Sequence, residues 1–227
     1  MKFDTIDKLK RDITFDEFVN LFKKCKNLLN ASDKKDLLLS FVKNQKFKEI
    51  NILIQNNFDL NITDKSNRSL LMHSCLTSGN DIFDLLIEKN NIHHNDKLMN
   101  TALHYAVKFY GMKNLTQNMY KVEKLIDYGA DINQRNFFNQ TPLIFACIYN
   151  NVEIVELLCK KGADTNICNG WGDFTPLMFC ARMNNLEVLK ILIEKGADTN
   201  LKNRIFDYSA KDIAKVFGFE EIVNILN

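Results

Sequence analysis

The most regular feature of the chain is a pair of short apolar stripes that occurs twice. The first copy is residues 141–166, TPLIFACIYNNVEIVELLCKKGADTN. It begins with an apolar segment that contains small residues, continues with a polar turn, and ends with apolar residues at helical spacing. Residues 175–200, TPLMFCARMNNLEVLKILIEKGADTN, repeat the pattern after 34 residues. Two helices this short cannot bury their apolar faces alone, so the pattern predicts stacked helix pairs.

Local signals define the ends of each predicted helix. Thr141 can cap the first helix with its hydroxyl, and Pro142 suits the first helical position, where its missing N–H costs nothing. The Asn150-Asn151 pair turns the chain into the second helix. Gly162 supplies the left-handed residue that ends this helix.

Weaker copies extend the register over most of the chain, with Thr or Ser at positions 69, 101, 141, 175 and 209. Residues 1–35 lack the repeat, and Thr14 to Glu17 has a capping-box signature, which predicts an N-terminal helical cap. Residues 36–227 form the predicted repeat domain, whose last unit is a C-terminal cap. Its units cover about residues 36–63, 64–95, 96–135, 136–168, 169–202 and 203–227.

The third unit departs most from the pattern. Thr101 to Gly129 spans 28 residues, against 21 from Thr141 to Gly162. We expect the seven extra residues within Tyr110–Tyr120, where they lengthen the helices or form a loop. A tolerated bulge is the simpler interpretation, although insertions of this kind also acquire contacts of their own.

The pattern resembles the ankyrin repeat: Thr-Pro-Leu-His, a small-residue pair, a turn, Val-Val-x-Leu-Leu, then Gly-Ala-Asp-x-Asn. The resemblance covers about residues 36–227. It implies an all-α solenoid of helix-turn-helix units joined by short β-hairpin fingers. It also implies that His104, in Thr-Ala-Leu-His, bonds locally and holds the start of its helix.

Composition narrows the class of protein. The 30 basic and 28 acidic residues give a net charge of +2, which argues against a binder of nucleic acid or anionic membranes. No apolar run approaches the roughly 18 residues of a membrane span, and the N-terminus has no apolar signal core. We therefore expect an intracellular, cytoplasmic monomer.

Candidate chemistry is sparse. The six cysteines form no C-x-x-C pair, and Cys75, Cys147 and Cys180 fall at small-residue positions of the first helices, where a buried thiol acts as a small hydrophobe. The His93-His94 pair could bind a metal, but nothing supplies further ligands in register. Phosphate loops, nucleophile elbows and zinc-protease motifs are absent. We therefore predict no catalytic residue, no metal site and no cofactor.

The predicted concave face, made of the fingers and the first helices, is unusually apolar for a surface. Aromatic residues, Met and Arg are enriched in interface cores and hot spots. Phe174 and Phe137 are the rings expected to pack back onto neighbouring repeats. The predicted partner-binding residues are Phe109, Arg135, Phe137, Phe138, Ile148, Tyr149, Trp171, Arg182 and Met183. In the last unit, the expected buried side is Ile213, Val216, Ile222, Val223, Ile225 and Leu226.

These features favour a non-enzymatic scaffold that binds another protein. A narrower alternative is an effector of an intracellular microbe or virus, delivered into a host cell, because the Asn-, Lys- and Ile-rich composition is typical of AT-rich genomes. A regulatory subunit of an enzyme is a further alternative. The sequence does not identify the partner.

Overall fold

The computed structural model describes residues 7–11, 13–77, 79–108 and 115–227, with only the backbone of residues 115–117. The chain divides into two compact units, one ending at His94 and the other beginning at Asn95. We call them the N-terminal and the C-terminal unit.

Among its described residues, the N-terminal unit contains a helical turn at residues 7–10 and five longer α-helices. They are α1 (Phe15–Cys25), α2 (Ala31–Lys43), α3 (Phe47–Gln55), α4 (Leu70–Cys75) and α5 (Asp81–Ile87), with a 3-10 turn at Lys26–Leu28. The predicted capping box is confirmed, since the Glu17 N–H donates to the Thr14 hydroxyl at 3.3 Å and the Glu17 carboxylate accepts from the Thr14 N–H at 2.9 Å. Helix α2 starts at Ala31, so the predicted boundary after residue 35 falls inside it.

Aromatic packing joins α1 to the helices that follow. The Phe18 ring meets Phe41 of α2 edge-on, with centroids 5.5 Å apart, and Phe22 lies 5.9 Å from Phe58. Phe18, Phe22 and Phe41 are almost fully buried. Burial of large apolar side chains contributes about 1.5–3 kcal/mol each, so these rings fix α1 against the first helix pair.

The C-terminal unit contains eight helices among its described residues. They are α6 (Ala102–Lys108), α7 (Leu115–Asp127), α8 (Pro142–Ile148), α9 (Val152–Lys160), α10 (Pro176–Met183), α11 (Leu186–Glu194), α12 (Ala210–Phe217) and α13 (Glu220–Ile225). The first helices α6, α8, α10 and α12 pack in sequence, and α7, α9 and α11 form a second row behind them. Helix α7 has 13 residues against nine in α9, so part of the insertion lengthens this helix.

The Thr/Ser register is the set of helix caps that the sequence predicts. The hydroxyls of Ser69, Thr141, Thr175 and Ser209 each accept the backbone N–H three residues later, at 3.2 to 3.3 Å. Pro142 and Pro176 occupy the first turn of their helices. Gly162 and Gly196 end the second helices with φ of 93° and 86°, a left-handed region that favours glycine.

Loops between repeats are tied by the last residue of the Gly-Ala-Asp-x-Asn motif. The Asn133 side-chain oxygen accepts the Asp164 N–H at 2.9 Å, and Asn166 accepts the Asp198 N–H at 2.8 Å. Each bond crosses about one repeat, so the motif couples neighbouring units as well as ending a helix.

Short turns, which we call fingers one to five, precede the first helices. They are residues 64–68, 96–100, 136–140, 169–174 and 203–208. In each, the N–H of the first residue donates to the carbonyl of the last at 2.9 to 3.0 Å. The described residues contain a single isolated β-bridge, Thr63–Ser69, so the hairpins are tight turns without extended strands.

Backbone bonds also link consecutive fingers of the C-terminal unit. The N–H groups of Phe137, Gly170 and Arg204 donate to carbonyls of the preceding fingers, at 2.8, 3.0 and 2.9 Å respectively. The acceptors are Leu98, Phe138 and Gly172. Because backbone groups hold these turns in register, their side chains are free to face solvent.

Candidate functional site

The aromatic residues of fingers three and four form a continuous run. The rings of Phe137 and Phe138 meet edge-on with centroids 5.4 Å apart, and Phe138 lies 6.0 Å from Trp171. Phe138 is half-buried, whereas Phe137 is 64% exposed and Trp171 is 69% exposed. Phe137 therefore does not pack back onto a neighbouring repeat as expected. Large exposed rings of this kind are characteristic of binding surfaces.

The remaining predicted residues lie at the ends of first helices or next to a finger. Ile148 and Tyr149 are half-buried at the end of α8, where Tyr149 contacts Phe145 with centroids 6.3 Å apart. Arg182 and Met183 are exposed at the end of α10, and Arg135 is exposed beside finger three. Phe109 lies outside the described residues.

A groove opens beside Trp171, and we call it the C-terminal groove. It has a volume of about 590 Å³ and lies between fingers four and five and helices α10 and α12. Aromatic and aliphatic side chains make up most of its lining, together with Asn169, Asn203 and Arg182. The apolar members are Trp171, Phe174, Phe179, Ile205, Phe206, Tyr208, Ile213, Val216 and Phe217.

The structure corrects the prediction for the last repeat. Val216 was expected on its buried side, but the side chain is 63% exposed and lines the groove. Ile213 and Ile222 of the same predicted set are buried. Helix α12 packs on both α10 and α13, and Val216 lies on the part of its surface that neither helix covers. Val216 and Phe217 lie where the chain turns towards α13.

Several groove residues were missed by sequence reasoning. Ile205, Phe206 and Tyr208 lie in finger five, where Ile205 and Tyr208 occupy the positions that Trp171 and Phe174 hold in finger four. Both fingers span one residue more than the earlier three. An alignment of the finger sequences alone would have shown that finger five carries large apolar residues at the positions of Trp171 and Phe174. Conversely, the predicted residues Tyr149 and Met183 lie outside the groove lining.

Charges around the groove are mostly paired. The Arg204 guanidinium lies 3.5 Å from the Asp173 carboxylate, and the Lys202 ammonium lies 2.7 Å from Asp207. Within the described part of the chain, Arg182 has no carboxylate at ion-pair distance. The groove is therefore an apolar cleft with one uncompensated positive charge.

The histidine of the third repeat has a structural role. Nδ1 of His104 accepts the Thr101 N–H at 3.1 Å, so Nε2 carries the proton and donates to the Gln140 carbonyl at 3.1 Å. Burial lowers the pKa of His104 to about 4, and the hydrogen bond to the Gln140 carbonyl offsets only part of this decrease. The ring is neutral near pH 7, and it links its own helix to the next finger. The expected local bond is confirmed.

Most of the cysteine thiols lie inside the fold. Cys25, Cys75, Cys147 and Cys180 are buried, and all six thiols are free. Burial raises the pKa of Cys159 to about 11 and that of Cys147 well above its usual range. Thiols of this kind behave as small apolar groups rather than nucleophiles.

The described residues contain no group of three or more His, Cys, Asp and Glu side chains that could hold a metal ion. In the same part of the chain, no helix combines the length and the apolar character needed to cross a bilayer.

A family model described as ankyrin repeats (three copies) matches residues 37–118 and 112–203. A putative ankyrin repeat protein of Fowlpox virus (strain NVSL) is 31% identical over 140 residues, which is 60% of this chain and 39% of that protein. A putative ankyrin repeat protein of Rickettsia bellii (strain RML369-C) is 42% identical over 57 residues, covering 25% of this chain and 34% of the relative.

The protein phosphatase 1 regulatory subunit 27 of Mus musculus is 40% identical over 72 residues, covering 32% of this chain and 42% of that subunit. The chain thus covers between 34% and 42% of the length of these three relatives.

Proposed function

Because the chain belongs to the ankyrin repeat family, whose stacked units present extended binding surfaces, we propose that it binds a partner protein through its fingers and first helices. Its role is recognition rather than catalysis. The partner contacts the fingers and the first helices, and the second helices lie in the row behind them.

The observation that carries this proposal is the exposed aromatic run Phe137–Phe138–Trp171. An exposed ring costs hydration free energy in the free protein, and a partner that covers it recovers this energy. Trp is the residue most often found as an interface hot spot, together with Tyr and Arg. Trp171 is therefore the proposed central anchor.

The other proposed contacts surround this anchor. Ile148, Tyr149 and Met183 extend the apolar surface along the ends of α8 and α10. Arg135 and Arg182 flank it and are available to acidic groups of the partner. Phe109 completes the proposed set from its position directly after α6.

The test uses partner capture followed by titration. The immobilised chain is exposed to cell extract, the captured protein is identified by mass spectrometry, and the purified partner is titrated against variants. Trp171→Ala or Tyr149→Ala should weaken binding by about 2 kcal/mol, roughly thirtyfold, if either is a hot spot. Glu156→Ala, an exposed change on α9, is the matched control and should leave the affinity unchanged.

One result would place the binding site elsewhere. If both aromatic variants bind normally, and replacement of residues 110–120 by a short Gly-Ser linker abolishes binding, the insertion is the contact. Circular dichroism and melting curves of every variant ensure that lost binding does not reflect lost folding.

A second candidate function is regulation of an enzyme through the same binding surface. The similarity to a relative named as a phosphatase 1 regulatory subunit favours it. The direct test adds the purified chain to the catalytic subunit of protein phosphatase 1 and measures turnover of a phosphopeptide. Unchanged turnover and no complex in gel filtration would remove this candidate.

A narrower version is action on a protein of a host cell. The similarity to proteins of Fowlpox virus and Rickettsia bellii supports it. Detection of the protein in host cytosol during infection, together with capture of a host protein that Trp171→Ala loses, would support this version. Retention inside the producing organism would contradict it.

A further inference from the structure

We propose that the C-terminal groove binds a segment of the partner protein in which a large apolar side chain lies next to a carboxylate. This inference rests on the proposed function, since it assigns a chemistry to one part of the binding face. The apolar side chain enters the groove, and the carboxylate pairs with Arg182.

The groove has the size and lining for an apolar anchor. Its volume of about 590 Å³ falls within the range of pockets that enclose organic ligands of about 300–1,000 Å³. Ile205 and Phe206 on one side and Phe217 on another are all more than half exposed. A Leu, Met, Phe or Trp side chain inserted between them would remove apolar surface on both molecules from water.

The charged side chains around the groove determine which residue is favoured next to the apolar side chain of the bound segment. The positive charge of Arg204 is adjacent to Asp173, and that of Lys202 is adjacent to Asp207. In the described part of the chain, Arg182 lacks such a carboxylate, although its side chain lines the groove. A guanidinium beside an apolar surface binds a carboxylate more strongly than one surrounded by water, because the local dielectric is lower.

Asn203 adds an independent observation in the wall of the groove. The residue is 98% buried, and its Nδ2 group has no hydrogen-bond partner in the part of the chain that the structure describes. At the matching position of finger three, Nδ2 of Asn136 donates to Asn100 and Gln140. Phe174 and Tyr208 replace these two acceptors around Asn203.

A buried amide donor without an acceptor costs about 1–3 kcal/mol. A carbonyl or carboxylate oxygen of a segment bound in the groove would supply the missing acceptor. The unpaired Nδ2 of Asn203 and the exposed guanidinium of Arg182 thus both line an apolar cavity, and both can donate to oxygen acceptors of a bound segment. One arginine is too little for nucleic acid, which requires several phosphate contacts.

The test is an unbiased selection with a phage-displayed library of random 12-residue peptides, panned against the full chain. The expected consensus is a large apolar residue with Asp or Glu within a few positions. A fluorescein-labelled synthetic consensus peptide is then titrated by fluorescence polarisation. Trp171→Ala or Phe206→Ala should weaken its binding at least tenfold, whereas Tyr128→Ala, an exposed ring after α7, should not.

A charge exchange tests the role of Arg182. Arg182→Glu should weaken binding of the consensus peptide at least tenfold, and a peptide with Lys in place of the acid should regain affinity for this variant. Lys190→Glu, at an exposed position of α11, makes the same change in net charge and should have no effect.

Several results would overturn this inference. They are a consensus without an acidic residue, equal affinity for wild type and Arg182→Glu, or binding unaffected by Trp171→Ala and Phe206→Ala.

Sedimentation that shows a dimer dissociated by Phe206→Ser would assign the groove to a second copy of the chain instead. If the captured protein still requires Tyr149 in any of these cases, the proposed function stands without this inference. If no protein binds the concave face, the proposed function itself fails.

Discussion

Finger one and finger five are closed by the same kind of backbone hydrogen bond. Their surfaces differ, because finger one presents hydrogen-bonded polar side chains and finger five presents exposed apolar ones. In finger one, the Asp64 carboxylate accepts from the N–H groups of Ser66 and Arg68 at 2.8 and 2.9 Å, from the Arg68 guanidinium at 2.7 Å, and bonds to His73 at 3.1 Å. In finger five, the side-chain oxygen of Asn203 accepts only the Phe206 N–H among the described contacts, and Ile205 and Phe206 are 58% and 60% exposed.

The same type of turn therefore serves two purposes in this protein, stability in finger one and an exposed apolar surface in finger five. Finger one uses its side chains on itself, so its polar groups are satisfied before any partner is present. Finger five holds its turn with the Asn203 side chain and pairs Asp207 with Lys202, but it leaves Ile205 and Phe206 mostly exposed. Stability and binding are therefore carried by different fingers, and substitutions should affect them differently.

The largest effect is expected in finger one. Asp64→Ala removes the acceptor shared by Ser66, Arg68 and His73, and leaves partly buried donors unpaired. We expect a loss of about 3 to 4 kcal/mol in the free energy of unfolding, measured by urea denaturation. Lys65→Ala changes an exposed residue of the same finger and is the control. A loss below about 1 kcal/mol would show that the network is not a source of stability.

Lowering the pH should destabilise the protein through His104 of the third repeat. His104 has a pKa near 6.5 in the unfolded chain and about 4 in the fold, so the unfolded state binds the proton first as the pH falls. Stability should decline below pH 6.5, by about 3 kcal/mol at pH 4. Burial also lowers the pKa of His73, which adds a decline of the same sign.

The measurement is urea denaturation at several pH values between 7 and 4. His104→Gln removes the first titration and should flatten the pH dependence, although the variant is less stable at pH 7. The fourth and fifth repeats have Ile144 and Met178 at this helix position, so they lack this titration. An unchanged slope in the variant would be inconsistent with a buried neutral ring.

Finger five should tolerate polar substitution. Ile205→Ser combined with Phe206→Ser should change the free energy of unfolding by less than about 1 kcal/mol, because both side chains are mostly exposed. Ile213→Ser, at a buried position of the same repeat, should cost about 3 kcal/mol and is the matched comparison. If the double variant costs as much as Ile213→Ser, finger five is part of the core.

The smallest effect concerns the left-handed residue of each finger. Asn67, Asn139, Asp173 and Asp207 occupy this position with φ between 53° and 62°, and Met99 does so in finger two with φ of 59°. Asn and Asp tolerate this conformation better than Met. Met99→Asn should therefore raise stability by about 0.5 kcal/mol, seen as a small rise in Tm. A lower Tm would show that the Met99 side chain contributes more than its backbone costs.

The sequence by itself determined the repeat architecture. Thr or Ser caps, Pro at the first helical position and Gly after the second helix act within a few residues, so their effects can be predicted locally. The same holds for the capping box at Thr14, whereas the local bond of His104 was expected from the resemblance to ankyrin repeats. The turn position after α3 is an exception in detail: Asn57, with φ of 58°, replaces the missing glycine there.

Only the tertiary structure decided where apolar side chains go at the solenoid surface. Val216 and Ile213 differ by three positions on one helix, yet one lines a groove and the other is buried. Periodicity predicts an apolar face, but the extent to which a neighbouring helix covers that face depends on packing. The C-terminal groove is formed between two consecutive repeats, each of which contributes a finger and the first helix that follows it. The unsatisfied Nδ2 of Asn203 likewise depends on which side chains the preceding finger places opposite it.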